Sequence, residues 1–502
     1  MGFLDGLRQV GEFFEQQQDK QGGNDELADL VNFLQYPLEL QKPGSKEEFS
    51  PKVIRIKMKV TDSYAQSLDI QGIIDITLAD YPVVEKKKYL YKNPIGTNVN
   101  WSFSPIYKLG KGNEKGLEDL IGSNNNDWRT NKKSRFYKIY SKVIKGFEEG
   151  GCFTPGSADK LMDSLSEHAD EISRMWSDKK RSYLLVFGTA DKENSFIFPG
   201  DIPAFQSYFR KKIKSCIEIK DTTSCHETGC SVCHSISGAN YTLNKLFKFS
   251  TFDKPGFLPG ANLDYSLKVF PVCERCFNLI NRGWVEIKDR FLLDIGITRF
   301  SIFIIPEVFG SIQSLKYFIN PEKDERFEYL PNGVSREIGL LEGLAKRNSS
   351  FVFHFLFVEN NQAQEILHRM IEDIPPTQFK KLDQIWKNNY CWLHSGRNNN
   401  QIDNIPNLDK AMKIIMATIL SLSGKSDEDK LAMREEGLTV LAGLLGNEWL
   451  NVNLLKQAAV ERIPGLFGNK EWLDEKNGGG GWKLQQLNAI FELIYTSNER
   501  IR

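Results

Sequence analysis

Two cysteine pairs are the residues of this chain best placed to do chemistry: Cys230-Ser231-Val232-Cys233 and Cys273-Glu274-Arg275-Cys276. Each C-x-x-C is a tight turn that sets two sulfurs on one side of a metal ion. Two such pairs, about forty residues apart, offer four thiolates in tetrahedral array, the donor set of a zinc site. A shell closed by four sulfurs leaves no coordination position for a water nucleophile. The spacing therefore predicts a structural Zn2+ held by Cys230, Cys233, Cys273 and Cys276. Cys225, His226 and His234 stand close enough in sequence to replace one ligand. The same knuckles can also persist as buried thiols with no metal.

Other chemistry finds little support. No H-E-x-x-H zinc-protease motif and no G-x-S-x-G nucleophile elbow occurs. Gly424-Lys425-Ser426 resembles the end of a phosphate-binding loop, but Ile419 occupies the place of the required first glycine. His168-Ala169-Asp170 lacks the adjacent His-Asp pair of phosphohydrolases. His354 falls in an apolar strand pattern and reads as a packed core residue. The expectation is a protein without catalytic activity. The alternative is a zinc-ribbon enzyme that processes nucleic acid, which would need a carboxylate or histidine cluster.

Charge is segregated. The whole chain of 502 residues is neutral, yet residues 86–145 hold 14 Lys/Arg against 4 Asp/Glu. A local positive field on a neutral protein suits one polyanion docked in one place. The block also carries Tyr89, Tyr91, Trp101, Phe103, Tyr107, Trp128, Phe136, Tyr137 and Tyr140, and phosphate neutralisation with base stacking needs that mixture. Within it, the loop Asn124, Asn125, Asn126 carries amides that can read base edges. Arg129, Lys132 and Lys133 lead into a helix expected over Asn131 to Phe147. Arg135, Lys138, Lys142 and Lys145 form a basic stripe on that helix, opposite an apolar face. The competing reading is a solvated basic surface.

These groups need a scaffold. Charged residues at 26% and hydrophobic residues at 40% are an ordinary globular balance. No apolar run is long enough to span a membrane, and the N-terminus is not a signal peptide; a cytoplasmic protein with reduced thiols is expected. The opening residues read as a short amphipathic helix with Phe3, Leu7 and Val10 on one side, and Asp25 to Gln35 repeats at helical spacing. Val53 to Val60 alternates strictly, predicting a half-buried strand with Arg55, Lys57 and Lys59 on a basic outer face. Asp69 to Leu78, Tyr183 to Phe187, Phe291 to Ile305 and Phe351 to Val358 are further strand candidates. Residues 93–105 read as a loop and 157–181 as helical. From Gln362 onward the pattern turns helical, with helices expected at Leu408 to Leu422, Asp427 to Leu445, Leu450 to Glu461 and Leu484 to Tyr495, and an N-cap at Ser426.

The fold class expected is α+β: a mixed N-terminal body with an inserted four-cysteine zinc-binding segment and an all-helical C-terminal domain. The expected domains are a basic α+β domain over 1–200, the zinc-knuckle segment over 201–290, a β-rich continuation over 291–360 and a helical bundle over 361–502.

Several segments share a resemblance. They are the opening helix, Tyr89-Leu90-Tyr91-Lys92 with its Asn/Ser/Pro loop to Pro105, Thr251-Phe252-Asp253-Lys254-Pro255-Gly256-Phe257 between the knuckles, and Phe270-Pro271-Val272 before Cys273. Together they are similar to the large subunit of the type I-B CRISPR surveillance complex, Cascade. The resemblance implies a non-enzymatic subunit near the 5′ handle of a guide RNA. It implies recognition of a protospacer-adjacent motif in target double-stranded DNA, help in R-loop formation and recruitment of a helicase–nuclease. The partners it implies are the backbone and small subunits. It also suggests a separate small subunit translated from an internal start such as Met370.

Overall fold

The computed structural model describes residues 2–20, 51–81, 86–91, 103–122, 128–217, 229–236, 241–247, 249, 269–293, 295–296, 300–319, 327–329, 335–337, 340–345, 350–361, 364–394, 406–424, 426–468 and 479–501. They fall into two compact units, one of residues 24–220 and one joining residues 1–23 to 221–502. The fold class is α+β, with a cysteine cluster in the body and a helical C-terminal region.

The unit of residues 24–220 is built on β1 (Lys52–Val60), β2 (Ile70–Asp80), β3 (Ile106–Lys111), β4 (Ser182–Ala190) and β5 (Phe196–Ile197). The strand order is β2-β1-β4-β3, and β5 pairs with β4. The central pair β1 and β4 runs parallel, while β2 and β3 add antiparallel on either side. A strand covered on both faces must be apolar at consecutive positions, which is why Tyr183 to Thr189 are all buried.

β1 departs from its expected basic outer face. Of the three cations expected on that face, only Lys59 is exposed. Lys57 is buried, and its ammonium donates to the Asn194 carbonyl at 2.7 Å and lies 3.6 Å from Asp75. Arg55 lies across the rings of Phe196 and Phe198. The segment around β5 covers this face. The Lys57 ammonium therefore finds its partners in Asn194 and Asp75, while the Arg55 guanidinium itself rests on the aromatic rings.

The helix expected over Asn131 to Phe147 forms as one helical run, Arg135–Ile139, Tyr140–Ile144 and Lys145–Glu149. Ser134 caps it, its side chain accepting from Tyr137 N at 3.1 Å. The middle piece is π-helical. A wider turn breaks α spacing, so Lys142 and Lys145 do not continue the Arg135–Lys138 row as a single stripe. Helices Ser157–Glu167 and Ala169–Met175 fill the helical stretch expected before β4.

The other unit holds two short ladders, β6 (Tyr241–Thr242) with β7 (Pro271–Val272) and β10 (Phe327–Tyr329) with β11 (Ser335–Glu337). Its main sheet is antiparallel, in the order β13-β12-β9-β8, from β8 (Leu292–Leu293), β9 (Phe300–Val308), β12 (Phe351–Asn361) and β13 (Gln364–Ile374). β13 corrects the expectation of helix from Gln362 onward. Its apolar residues, Ile366, Leu367, Met370, Ile371 and Ile374, repeat at helical spacing, yet hairpin pairing with β12 prevails. The misfit shows: Ile366 and Met370 are exposed, while Glu365 is buried and takes Lys288 at 2.6 Å. Met370 pairs with Leu356 in mid-strand. A polypeptide starting there would keep half of β13 and none of β12.

The opening helix, Phe3–Lys20, is longer than expected and lies between β9 and the helix Glu274–Arg290. Leu7, Val10 and Phe13 are buried in the seam. Gln9 clasps β9, accepting from Val308 N at 2.8 Å and donating to Val308 O at 3.2 Å. Two glycines set the helix separation. A Cβ on Gly11 would meet Leu279 O at 1.9 Å, and one on Gly283 would meet Leu7 O at 2.0 Å. Helices Pro376–His394, Leu408–Ser421, Asp427–Gly446, Asn453–Gly468 and Gly479–Glu499 make up the C-terminal region. Ser426 caps as expected, accepting from Asp429 N at 3.0 Å. No helix among the described residues is long and apolar enough to cross a membrane.

The contact at Gly283 is backbone against backbone, which side-chain rearrangement cannot relieve. Gly283→Ala is expected to cost at least about 1–3 kcal/mol, the usual penalty of overpacking. Urea unfolding followed by tryptophan fluorescence measures it. An unchanged midpoint would contradict the close approach.

Candidate metal centre

The two knuckles are brought together by the β6–β7 ladder and by the helix that follows it. In the first knuckle Cys230 N donates to Ser235 O at 2.8 Å and His234 N to Cys230 O at 2.9 Å. His234 takes a left-handed backbone, φ 58°, to close the turn. Ser231 N donates to Pro271 O at 2.8 Å, which ties the first knuckle to β7. β7 runs directly into Cys273, the N-cap of the helix Glu274–Arg290, and Cys276 lies in that helix's first turn.

Ligand atoms of Cys230, Cys233, Cys273 and Cys276 all lie within 4.8 Å of one another. The Cys233 and Cys273 sulfurs are 3.8 Å apart, far beyond a disulfide bond. A tetrahedron with metal–sulfur bonds of about 2.3 Å has edges of about 3.8 Å. Backbone amides already point at the sulfurs, Cys273 N at Cys230 Sγ (3.3 Å) and Cys276 N at Cys273 Sγ (3.5 Å). Such donors favour thiolate over thiol. At Cys230 burial opposes ionisation, but the amides of Cys233, Cys273 and Val232 outweigh it and bring the thiol down to about 7. Burial pushes Cys276 up, and the charge of Cys230 adds to that. Burial likewise raises Cys273. One thiolate thus discourages the others, and a divalent cation among the four sulfurs removes the conflict. The donor set fits a metal ion. His234 is exposed and not part of the group. Cys225 and His226, and the stretch Thr251 to Phe257, lie outside the described residues.

A second cluster, Glu307, His354 and Asp373, was not legible in the sequence. His354 is fully buried, as its apolar surroundings predicted. Its Nε2 meets Glu307 Oε2 at 2.9 Å, and Asp373 N donates to its Nδ1 at 3.3 Å. An amide donor at Nδ1 places the ring proton on Nε2, facing Glu307. Both ring nitrogens are then spent on hydrogen bonds, and the group reads as a satisfied buried network. Burial raises the Glu307 carboxyl above its ordinary value, and His354 offsets part of that.

Of the residues proposed to touch nucleic acid, Asn124, Asn125 and Asn126 lie outside the described residues. Lys132, Lys133, Lys142 and Lys145 are exposed, and Arg135 and Lys138 are half-buried. Arg129 bridges to Asp163 and lies 4.0 Å from Asp159, with its guanidinium over Trp128. Lys145 pairs with Glu149 at 3.6 Å. Two of these cations are therefore already engaged with carboxylates. Of the aromatic residues counted among them, Tyr89, Tyr91, Phe103, Trp128 and Phe136 are buried in the core, Tyr107, Tyr137 and Tyr140 are half-buried, and Trp101 lies outside the described residues.

Residues 227–374 match the model of a family described as CRISPR-associated protein TM1802, central domain. The matched stretch begins just before the first knuckle and ends with β13, and it covers less than a third of the chain. The match supports a CRISPR-associated protein. No curated protein matches the chain.

The purified chain is expected to carry one metal ion per molecule, measured by elemental analysis. Cys233→Ser and Cys276→Ser should each reduce that to a small fraction. Full metal content in both variants would remove these sulfurs from the site.

Proposed function

We propose that this chain is the large subunit of a type I-B CRISPR RNA-guided surveillance complex. The observation that carries the reading is the position of the four-cysteine centre, which lies wholly inside the stretch matching a CRISPR-associated central domain. The sequence resemblance points the same way, from segments before that stretch and inside it.

In this reading the protein is not an enzyme. It holds the complex near the 5′ handle of the guide RNA and recognises a short motif in duplex DNA. It helps to open the duplex and then recruits the helicase–nuclease. Sequence discrimination beyond the motif is left to guide pairing. The metal is Zn2+ in a structural role, supported by four thiolate donors and by the 3.8 Å sulfur separation. Its chemistry is confined to binding the knuckles together. Cys273 and Cys276 then anchor the first turn of the helix Glu274–Arg290. The helical C-terminal region resembles the small-subunit bundle of such complexes and would lie along the displaced strand.

Co-expression with the neighbouring genes, followed by purification through this chain, tests the reading. The expected product contains a uniform, short, repeat-derived RNA and several copies of a backbone subunit. A clean RNA-free monomer would contradict it and favour a zinc-containing enzyme.

A further inference from the structure

The helix Pro203–Ile217 lies outside the basic block read from the sequence, yet it is the more uniformly cationic element. It carries Arg210, Lys211, Lys212 and Lys214 and no Asp or Glu. Lys211 and Lys214 are exposed.

Packing sets this helix against the run Arg135–Glu149. Tyr208 lies on Phe147 with ring centroids 4.4 Å apart, and Phe205 meets Phe147 at 5.3 Å. Two glycines make room for the tyrosine. A Cβ on Gly150 would meet Tyr208 Cε2 at 2.2 Å, and one on Gly146 would lie 3.4 Å from its hydroxyl. The ring therefore runs along the helix from Gly150 towards Gly146, with its hydroxyl leading. Lys142 stands four residues further in that direction. At that end Lys212 Nζ donates to the Tyr208 hydroxyl at 2.9 Å, and it also lies over the Phe103 ring. Lys211 is three residues beyond Tyr208 and Lys212 four, so each is a neighbour of the tyrosine along its helix. The packing thus sets the run that carries Lys142 against the helix that carries Lys211 and Lys212. Among the described residues, Glu148 accepts from Ala158 N and Glu149 pairs with Lys145.

We infer that these two helices form one phosphate-binding surface for duplex DNA, with Lys211 and Lys214 as contacts alongside Lys138 and Lys142. Charge complementarity selects a polyanion. The form of the polyanion follows from the aromatic residues. Single-strand binders offer exposed rings for bases to stack on. Here Phe147, Phe205, Tyr208 and Phe209 are all buried. The rings between the two helices are thus closed to bases while Lys142, Lys145, Lys211 and Lys214 stand exposed, which suits a backbone whose bases are already stacked and paired. The inference deepens the proposed function by naming where the chain would grip target DNA.

Fluorescence anisotropy on the full chain, titrated into a labelled duplex of about 30 base pairs over a range of salt concentrations, tests it. Lys211→Glu with Lys214→Glu is expected to weaken binding at least tenfold. It should also flatten the dependence of log affinity on log salt by about two contacts' worth, each worth about 0.9 in slope. Lys160→Glu with Lys192→Glu makes the same change in net charge at exposed positions elsewhere in the unit, and binding should hold within about twofold. Circular dichroism and metal content confirm that each variant is folded. Wild-type binding with the Lys211/Lys214 variant unchanged would overturn this inference and leave the surveillance reading standing. So would equal weakening by both double variants. Tighter binding to a single strand of the same length, or to polyglutamate, would overturn the choice of duplex DNA. A wild-type chain that binds no duplex would overturn both the inference and the DNA-recognition part of the proposed function. Loss in the variant together with an RNA-free monomer in the co-expression test would uphold the surface and reject the complex.

Discussion

Four sulfur atoms drawn to within 4.8 Å of one another are the constraint on which the larger unit depends. Like-charged thiolates do not gather unaided, and the amides aimed at Cys230 and Cys273 show that the backbone is set for anionic sulfur. The consequences run outward along the chain. Cys273 caps the helix Glu274–Arg290 and thereby fixes where it starts. That helix presents Gly283 to the backbone of Leu7, and the opening helix presents Gly11 to Leu279. The opening helix in turn clasps β9 through Gln9. The cysteine knuckles, two helices and the main sheet are thus linked by contacts that tolerate almost no displacement.

The sheet attached to this assembly carries ionisable groups in its interior, each with a partner. His354 and Glu307 are enclosed together, and Glu365 takes Lys288. Removing His354 would leave the Glu307 carboxyl buried without its hydrogen-bond partner, which is destabilising. These pairs explain how a sheet with polar residues at core positions remains intact. They also explain why a histidine–carboxylate cluster here need not signal catalysis, since its hydrogen-bonding capacity is already used.

Much of this was legible in the sequence, for identifiable reasons. The four-cysteine cluster follows from cysteine spacing alone. β1 and β4, and the helices from Leu408 onward, follow from apolar periodicity. The failures are equally specific. β13 has helical apolar spacing and folds as a strand because its partner β12 is adjacent in the chain. Lys57 was placed on an outer face because nothing in β1 announces that residues 194–198 will cover it. The π turn at Tyr140–Ile144 has no composition signal, and it breaks a stripe that the sequence presents as continuous. The cationic helix Pro203–Ile217 was missed because the basic block was counted only to Lys145. The roles of Gly11, Gly146, Gly150 and Gly283 depend on tertiary approach, which a single sequence does not display.

The most direct test of the structural account is hydrogen exchange on the full chain, with metal bound and after chelation. The account predicts that chelation strips protection from Glu274–Arg290 and Phe3–Lys20 together, while the helices Leu408–Ser421 and Asp427–Gly446 keep theirs. Loss confined to the two knuckles, with the opening helix as protected as before, would contradict it.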